Sequence, residues 1–411
     1  MYRILSSRLL LLSVFLWFAN ANKAQSQYLT DSAQVYLLTA SWGDDPSSAF
    51  GHSAIRVYDP TRQYDTVYGY GTYDFDTPNF YLKFTTGKLM YSLSKASYDR
   101  FLYAYQTYGQ ALWEQEFNLT NKEKWRLISN LEVNYLPENK YYRYDFFHDN
   151  CATRIRDIVE KSVDGSLVYD SAYVKKPLTF RQLIRPNYGT VPWLNFGIDL
   201  VFGTVTDQKA TVTGYMFLPE HMMNIYNKTF IVKGDSVRPL IYQSRELFPS
   251  RLRFVTPSAL TSPSSVFDLI FVFIVSITVI GQVKRRHYRW IDFSLYLIFG
   301  ILGSLMLFLM TASLHEELWY NYNIVWADPV ILLIAIGAVA RTKALWYKYI
   351  LLFYCISLTI FVPVSFIIPQ EISAAAYPIV GILWLRSIVL LKNGFYSEKK
   401  WLFFGVTSRV E

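Results

Sequence analysis

Cysteine is nearly missing from this chain: Cys151 and Cys355 are the two in 411 residues. A disulfide framework is thereby excluded as what holds the fold together. Histidine is almost as scarce, with five residues, and neither a dinucleotide nor a phosphate-loop glycine pattern occurs, so no metal and no cofactor are expected. The absence of any internal repeat or low-complexity tract rules out a solenoid. Charged residues make up 18%, against 52% apolar and 18% aromatic. That balance is apolar for a water-soluble protein, and part of the chain is expected to face lipid.

Residues 1–24 read as a secretory signal. Arg3 and Arg8 precede an apolar run from Leu9 to Ala19 that is short for a membrane span, and small residues near Ala21 and Ala24 suit cleavage. Residues 25–262 are therefore expected outside the cytoplasm. Beyond them lie five apolar segments, 265–283, 290–313, 325–340, 346–368 and 373–391, in a transmembrane domain over 263–395, with a tail at 396–411. Two of the connecting loops hold Glu316, Glu317 and Glu371 and lack Lys and Arg. The other two, and the residues after the last segment, are basic. The positive-inside rule puts the basic loops and the C-terminus in the cytoplasm, which agrees with export of the first domain. Much of the net charge of +8 sits at those cytoplasmic ends, so no nucleic-acid partner is implied.

The exported part reads as mixed α and β. Strands are expected at Val35–Ala40, in "HSAIRVYD" with His52, Ala54 and Arg56 on one side, in "DTVYGYGTYDF" with Tyr68 and Tyr70 on one face, in "ALWEQEFNL" and in "KYYRYDFF". Helices are expected in "SYDRFLYAYQTYG" and, behind a Thr120–Glu123 capping box, in "TNKEKWRLISNLEVNYL".

Cys355 lies in the fourth apolar segment, out of reach of Cys151. Cys151 is thus a free thiol in an oxidising compartment, where free thiols are at risk. Asp149 and Asn150 suit the N-cap of a helix in which Ala152, Ile155, Ile158, Val159 and Val163 recur on one face. Cys151 then opens that helix, where unpaired N–H groups and the dipole lower a thiol pKa and receive an oxyanion. A thiol nucleophile needs an imidazole. His287 is cytoplasmic, and His148, three residues before Cys151, reads equally as an exposed polar side chain. His52 follows Gly51 at the start of a strand and is the preferred base.

The stretches "FGHSAIRVYD", "YGYGTYDFDTPNFYLKFTTGKLMY", "HDNCATRIRD", "PWLNFGIDLVFG" and "FLPEHM" together resemble the exterior domain of the Lnb-type lipoprotein N-acyltransferases. "LHEELWYNYNIVWADPVILL" resembles the family's membrane region, so the likeness spans nearly the whole chain. It implies an α+β, permuted papain-like Cys–His domain followed by an all-α five-helix transmembrane domain, in the bacterial inner membrane with the catalytic domain in the periplasm. It also implies that Cys151 takes an acyl chain from a glycerophospholipid as a thioester, with His52 as base and then acid, and passes it to the N-terminal amine of a diacylglyceryl-cysteine lipoprotein. By position in such folds, Tyr68, Tyr70 and Asp74 are candidates to orient His52, although tyrosines in so aromatic a chain are more often packing. Arg154 and Arg156 either meet a lipid phosphate or stay in helix salt bridges. His315, Asn321 and Asn323, in the loop after the second segment, form either the floor of a lipid entrance or an ordinary interfacial loop. Arg386 near the end of the fifth segment reads as a snorkelling side chain. Two competing classes remain: a membrane-tethered cysteine peptidase or amidase acting on cell-wall peptides, and a non-catalytic assembly factor.

Overall fold

The computed structural model describes residues 29–404 except 46–47, 189–190 and 253–257, with side chains described as far as 392. The signal segment therefore lies outside the described residues.

Seven antiparallel strands form the exterior sheet: β1 (Gln34–Ala40), β2 (His52–Asp59), β3 (Tyr64–Thr72), β4 (Met90–Ser97), β5 (Leu112–Phe117), β6 (Tyr141–Arg143) and β10 (Ile241–Phe248), in the order β10-β5-β1-β2-β3-β4-β6. The apolar run of β1 suits the middle of the sheet, where all but its first residue is buried. On β2 the expected alternation holds. Ile55 and Val57 enter the main core, whereas Ala54 packs with Leu38 and Val67 on the opposite face. Three short strands, β7 (Ser166–Val168), β8 (Phe230–Lys233) and β9 (Ser236–Pro239), make a second sheet.

Helix α1 (Phe80–Thr85) lies between β3 and β4, and α2 (Tyr98–Tyr108) follows β4. Helix α3 (Asn121–Tyr135) begins at the Thr120–Glu123 capping box that its spacing predicts. Helix α4 (Cys151–Ser162) covers β2 and β3 with Ala152, Ile155, Ile158 and Val159. "KYYRYDFF" forms strand only over Tyr141–Arg143. The Asp145 carboxylate accepts the N–H groups of Phe147 and His148, at 2.9 and 2.7 Å, and turns the chain into the helix.

Helices α5 (Phe180–Tyr188), α6 (Pro192–Val201), α7 (Val212–Tyr215) and α8 (Pro219–Tyr226) complete the exterior part. Met222, Ile225 and Tyr226 of α8 are core residues there. Phe196 and Leu200 of α6 instead join the membrane-side cluster. "WLNFGIDLVFG" is therefore the joint between the two domains.

The C-terminal region is helical: α9 (Pro263–Val283), α10 (Arg289–Ala312), α11 (Ile331–Ala340), α12 (Leu345–Val364) and α13 (Ala376–Phe404). Among the described residues, three of these, α9, α10 and α12, are long and apolar enough to cross a membrane. The third expected segment starts late, because Pro329 disfavours helix before it and Ala327 is pressed onto α10. A Cβ on Gly303 would meet the Ala327 carbonyl oxygen at 1.7 Å, so only glycine admits that approach. The last helix runs past the expected end at 391, into residues assigned from the sequence to the tail.

Arg386 does not snorkel. It is 3% exposed and holds both carboxylate oxygens of Asp292, at 2.6 and 2.9 Å, and the Thr278 hydroxyl at 2.8 Å, tying α13 to α10 and α9. A guanidinium inside an apolar bundle is stable only when paired in this way.

Candidate active site

Cys151 is unpaired and buried at the first position of α4. Asn150 caps the helix: its side-chain oxygen accepts from Ala152 and Thr153, both at 2.9 Å, and its amide donates to the carbonyls of Phe146 and Phe217 at 2.8 and 2.9 Å. Asn150→Ala removes the cap and two donors to carbonyls, and should cost about 2–4 kcal/mol in a denaturation measurement. Asp149 does not cap. Its carboxylate forms a bidentate pair with Arg154 at 2.5 and 2.7 Å, and that guanidinium stacks 3.5 Å from the centroid of Tyr142. Arg156 is held by Asp157 and by the Thr213 carbonyl. Both arginines are thus engaged in salt bridges within the protein.

The backbone N–H groups of Ser53, Ala152 and Cys151 itself favour the ionised form of the Cys151 sulfur electrostatically. Ser53 directly follows His52, so the thiol sits against the start of β2. The His52 ring stacks on Tyr105 with centroids 6.5 Å apart, and Tyr105 is near enough to Cys151 that a thiolate there would raise its phenol. The structure therefore gathers Cys151, Tyr105 and the β2 end that carries His52 into one place. Burial pushes the thiol above its ordinary value, against the lowering effect of the three N–H groups. The expected depression by the helix end is overridden by desolvation. Burial also pulls His52 down to about 4, so at neutral pH the resting groups are thiol and neutral imidazole.

The three candidates to orient His52 lie elsewhere. Ile55 pairs with Tyr68 in register, which puts Tyr68 on the face opposite His52, and its hydroxyl bonds to Glu132 and Tyr64. Tyr70 shares that face and accepts from Asn134 at 2.8 Å. Asp74 is exposed and accepts from the Asp76 N–H. Beside His52 stands Gly69, whose missing Cβ would lie 3.3 Å from Nε2 and 3.7 Å from the Ser94 hydroxyl. Ser94 donates to the Gly69 carbonyl and accepts from Thr72, which leaves it a lone pair. Adding a Cβ to Gly71, whose φ is +95°, would bring it within 4 Å of Cys151 Cβ, Tyr144 and the Tyr142 hydroxyl. That hydroxyl is buried and has no hydrogen-bond partner among the described residues. Nothing in the spacing of "KYYRYDFF" distinguishes Tyr142 from its neighbours. Only its unpaired state in the fold does.

The other histidines have separate surroundings. His148 is exposed, and His221 bonds to the Tyr173 hydroxyl at 2.7 Å. His315 Nε2 lies 2.9 Å from the Phe84 carbonyl of α1. Asn321 and Asn323 do not face a lipid entrance. They are buried, and their amides donate to the Leu200 carbonyl at the end of α6, with Asn323 also reaching that of Asp199. Nearby Arg181, fully buried, joins Asp199 and Asp207, and Arg185 reaches Glu371 at 2.7 Å. The exterior domain is thus clamped to the membrane helices.

Comparison with known proteins agrees with this two-part construction. Residues 20–186 match the family described as the Lnb N-terminal periplasmic domain, and residues 255–396 match the Lnb transmembrane domain. Searches of curated proteins and of solved structures gave no match. With a periplasmic α/β domain and an apolar helical domain following it in order, the chain is a membrane protein that belongs to the Lnb family.

Proposed function

We propose that this protein is a lipoprotein N-acyltransferase of the bacterial inner membrane, with five spans, a permuted papain-like periplasmic domain and a cytoplasmic C-terminus. The observation that carries the reading is an unpaired, buried thiol at a helix start, near the end of β2 that carries His52, in a domain clamped to apolar helices. No cofactor or metal is required.

His52 takes the Cys151 proton as the sulfur attacks the carbonyl carbon of a glycerophospholipid ester. A C–S bond forms, the C–O bond breaks, and His52 returns the proton to the departing lysophospholipid oxygen. The free amine of a diacylglyceryl-cysteine lipoprotein, partly neutral near pH 8, then attacks the thioester. A C–N bond forms, the thiolate leaves, and the amine's surplus proton returns through His52 to Cys151. Ser94 orients the imidazole from the Gly69 side.

Tyr142 is assigned as a donor to the oxyanion. Burial raises its phenol far above neutrality, so it stays protonated. Tyr142→Phe should slow thioester formation by about 10²-fold while leaving thermal stability equal or higher, because the hydroxyl it removes has no partner. A variant of wild-type rate sinks this assignment.

The reading as a whole is tested by incubating the purified protein with phosphatidylethanolamine vesicles and measuring intact mass. One acyl chain should be added and released by hydroxylamine. A wild-type protein that never gains the adduct overturns the acyltransferase.

A further inference from the structure

Helix α1 and the loop before it carry a cluster of exposed apolar side chains. Phe75, Tyr81, Leu82 and Phe84 are 66%, 79%, 57% and 51% exposed. Such clustered apolar exposure marks an interaction surface. Its height is fixed by contacts with the outer end of α10, a helix apolar and long enough to cross the membrane. The Thr85 carbonyl accepts from the Ser313 hydroxyl at 2.8 Å, the Thr86 carbonyl accepts from Leu314 N–H at 3.0 Å, and His315 closes on the Phe84 carbonyl. A Cβ on Gly87 would stand 3.1 Å from Leu314 Cβ. The 24 residues of α10 rise about 36 Å, the thickness of the hydrocarbon core and part of the interface. Its outer end, and α1 with it, therefore meets the outer leaflet. Lys83 and Lys88 flank the same surface as cations able to meet headgroup phosphates, and Asp74 and Asp76 lie in the loop before α1.

From this surface an unbroken file of rings leads inward. Phe84 stacks with Phe80 at 6.3 Å, Phe80 meets Tyr73 at 5.8 Å, Tyr73 meets Tyr91 at 5.4 Å, and Tyr91 meets Tyr144 at 4.6 Å. Tyr144 and Cys151 converge on the space that Gly71 leaves open. Tyr144 is near enough to Cys151 and to Glu317, in the loop beyond α10, that a negative charge on either would raise its phenol.

We infer that α1 is embedded in the outer leaflet of the membrane and that the aromatic file from Phe84 to Tyr144 is the track along which a phospholipid acyl chain passes from bilayer to Cys151. The track rests on the acyltransferase reading; the embedding does not. Aromatic rings suit the task, since they offer an apolar wall that holds a flexible chain without fixing one conformation. A peptide substrate would gain nothing from a wall that starts in lipid.

Two measurements test this. In full-length protein carrying Cys151→Ala and Cys355→Ser, a nitrobenzoxadiazole label on Leu82→Cys should be quenched by doxyl-labelled phosphatidylcholine in proteoliposomes and shielded from iodide. A label open to iodide and untouched by doxyl lipid overturns the embedding. For the track, Tyr81→Glu with Leu82→Glu, and separately Tyr73→Glu, should lower the initial rate of thioester formation from bilayer phosphatidylethanolamine tenfold or more relative to the rate from monomeric dihexanoyl phosphatidylcholine. An unaltered ratio in a wild-type-like folded protein overturns the track alone. Wild-type protein that forms no thioester from either lipid removes the acyltransferase and the track together, while the label still decides the depth of α1.

Discussion

Cys151→Ala should form no thioester with any phospholipid, and His52→Ala should slow its formation by about 10²- to 10⁴-fold. The two losses have different origins. Alanine at 151 deletes the attacking atom, whereas alanine at 52 leaves a thiol that burial holds above its ordinary pKa, with nothing beside it to take the proton. A residual rate in His52→Ala should therefore climb with pH as hydroxide substitutes for imidazole, while Cys151→Ala stays at zero throughout. The wild-type profile has its own signature. Burial pulls His52 to about 4, so the neutral base is fully present above that pH and is lost on acidification through it. The acid limb of thioester formation should fall near pH 4, well below the ordinary imidazole value of about 6.5. Intact-mass kinetics between pH 3.5 and 9 check this, and an acid limb at 6 to 7 would contradict a desolvated His52.

Arg386→Leu should destabilise the membrane domain by about 3–5 kcal/mol, because it strands the Asp292 carboxylate in an apolar bundle. Arg386→Leu with Asp292→Leu should recover most of the loss, since the pair's attraction roughly balances the desolvation of both ions. Thr278 is not stranded by either change, because its hydroxyl already bonds the Ile274 carbonyl on α9. Unfolding in detergent read by tryptophan fluorescence gives both numbers. A double variant as unstable as the single would show that the pair holds α9, α10 and α13 in register rather than merely neutralising charge.

The features legible in the sequence are local ones. Alternation in "HSAIRVYD" assigns the faces of β2 correctly, the Thr120–Glu123 spacing finds α3, and the periodicity after Cys151 finds α4 and its buried stripe. The expectations that fail are those that need distances between segments. Tyr68 and Tyr70 are reasonable partners of His52 until the register of β2 on β3 turns them to the other face, and a one-residue register choice cannot be read from either strand alone. Asn321 and Asn323 resemble ordinary interfacial loop residues, yet they cap carbonyls more than a hundred positions away on α6. The helix terminus that should lower the Cys151 pKa is local and visible; the burial that raises it instead is collective and is not. Arg386 has the look of a snorkelling residue because its partner Asp292 lies several apolar segments earlier in the chain.

That raised thiol pKa bears on how long the protein survives between turnovers. Thiolates attack peroxides and disulfides far faster than thiols do. A cysteine kept protonated by its surroundings is therefore nearly inert toward the oxidants of the periplasm. Reactivity would arise only for the moment in which His52 accepts the proton, with an ester already filling the space before the sulfur. On the proposed mechanism, the desolvation that weakens the resting nucleophile would also guard this cysteine in an oxidising compartment.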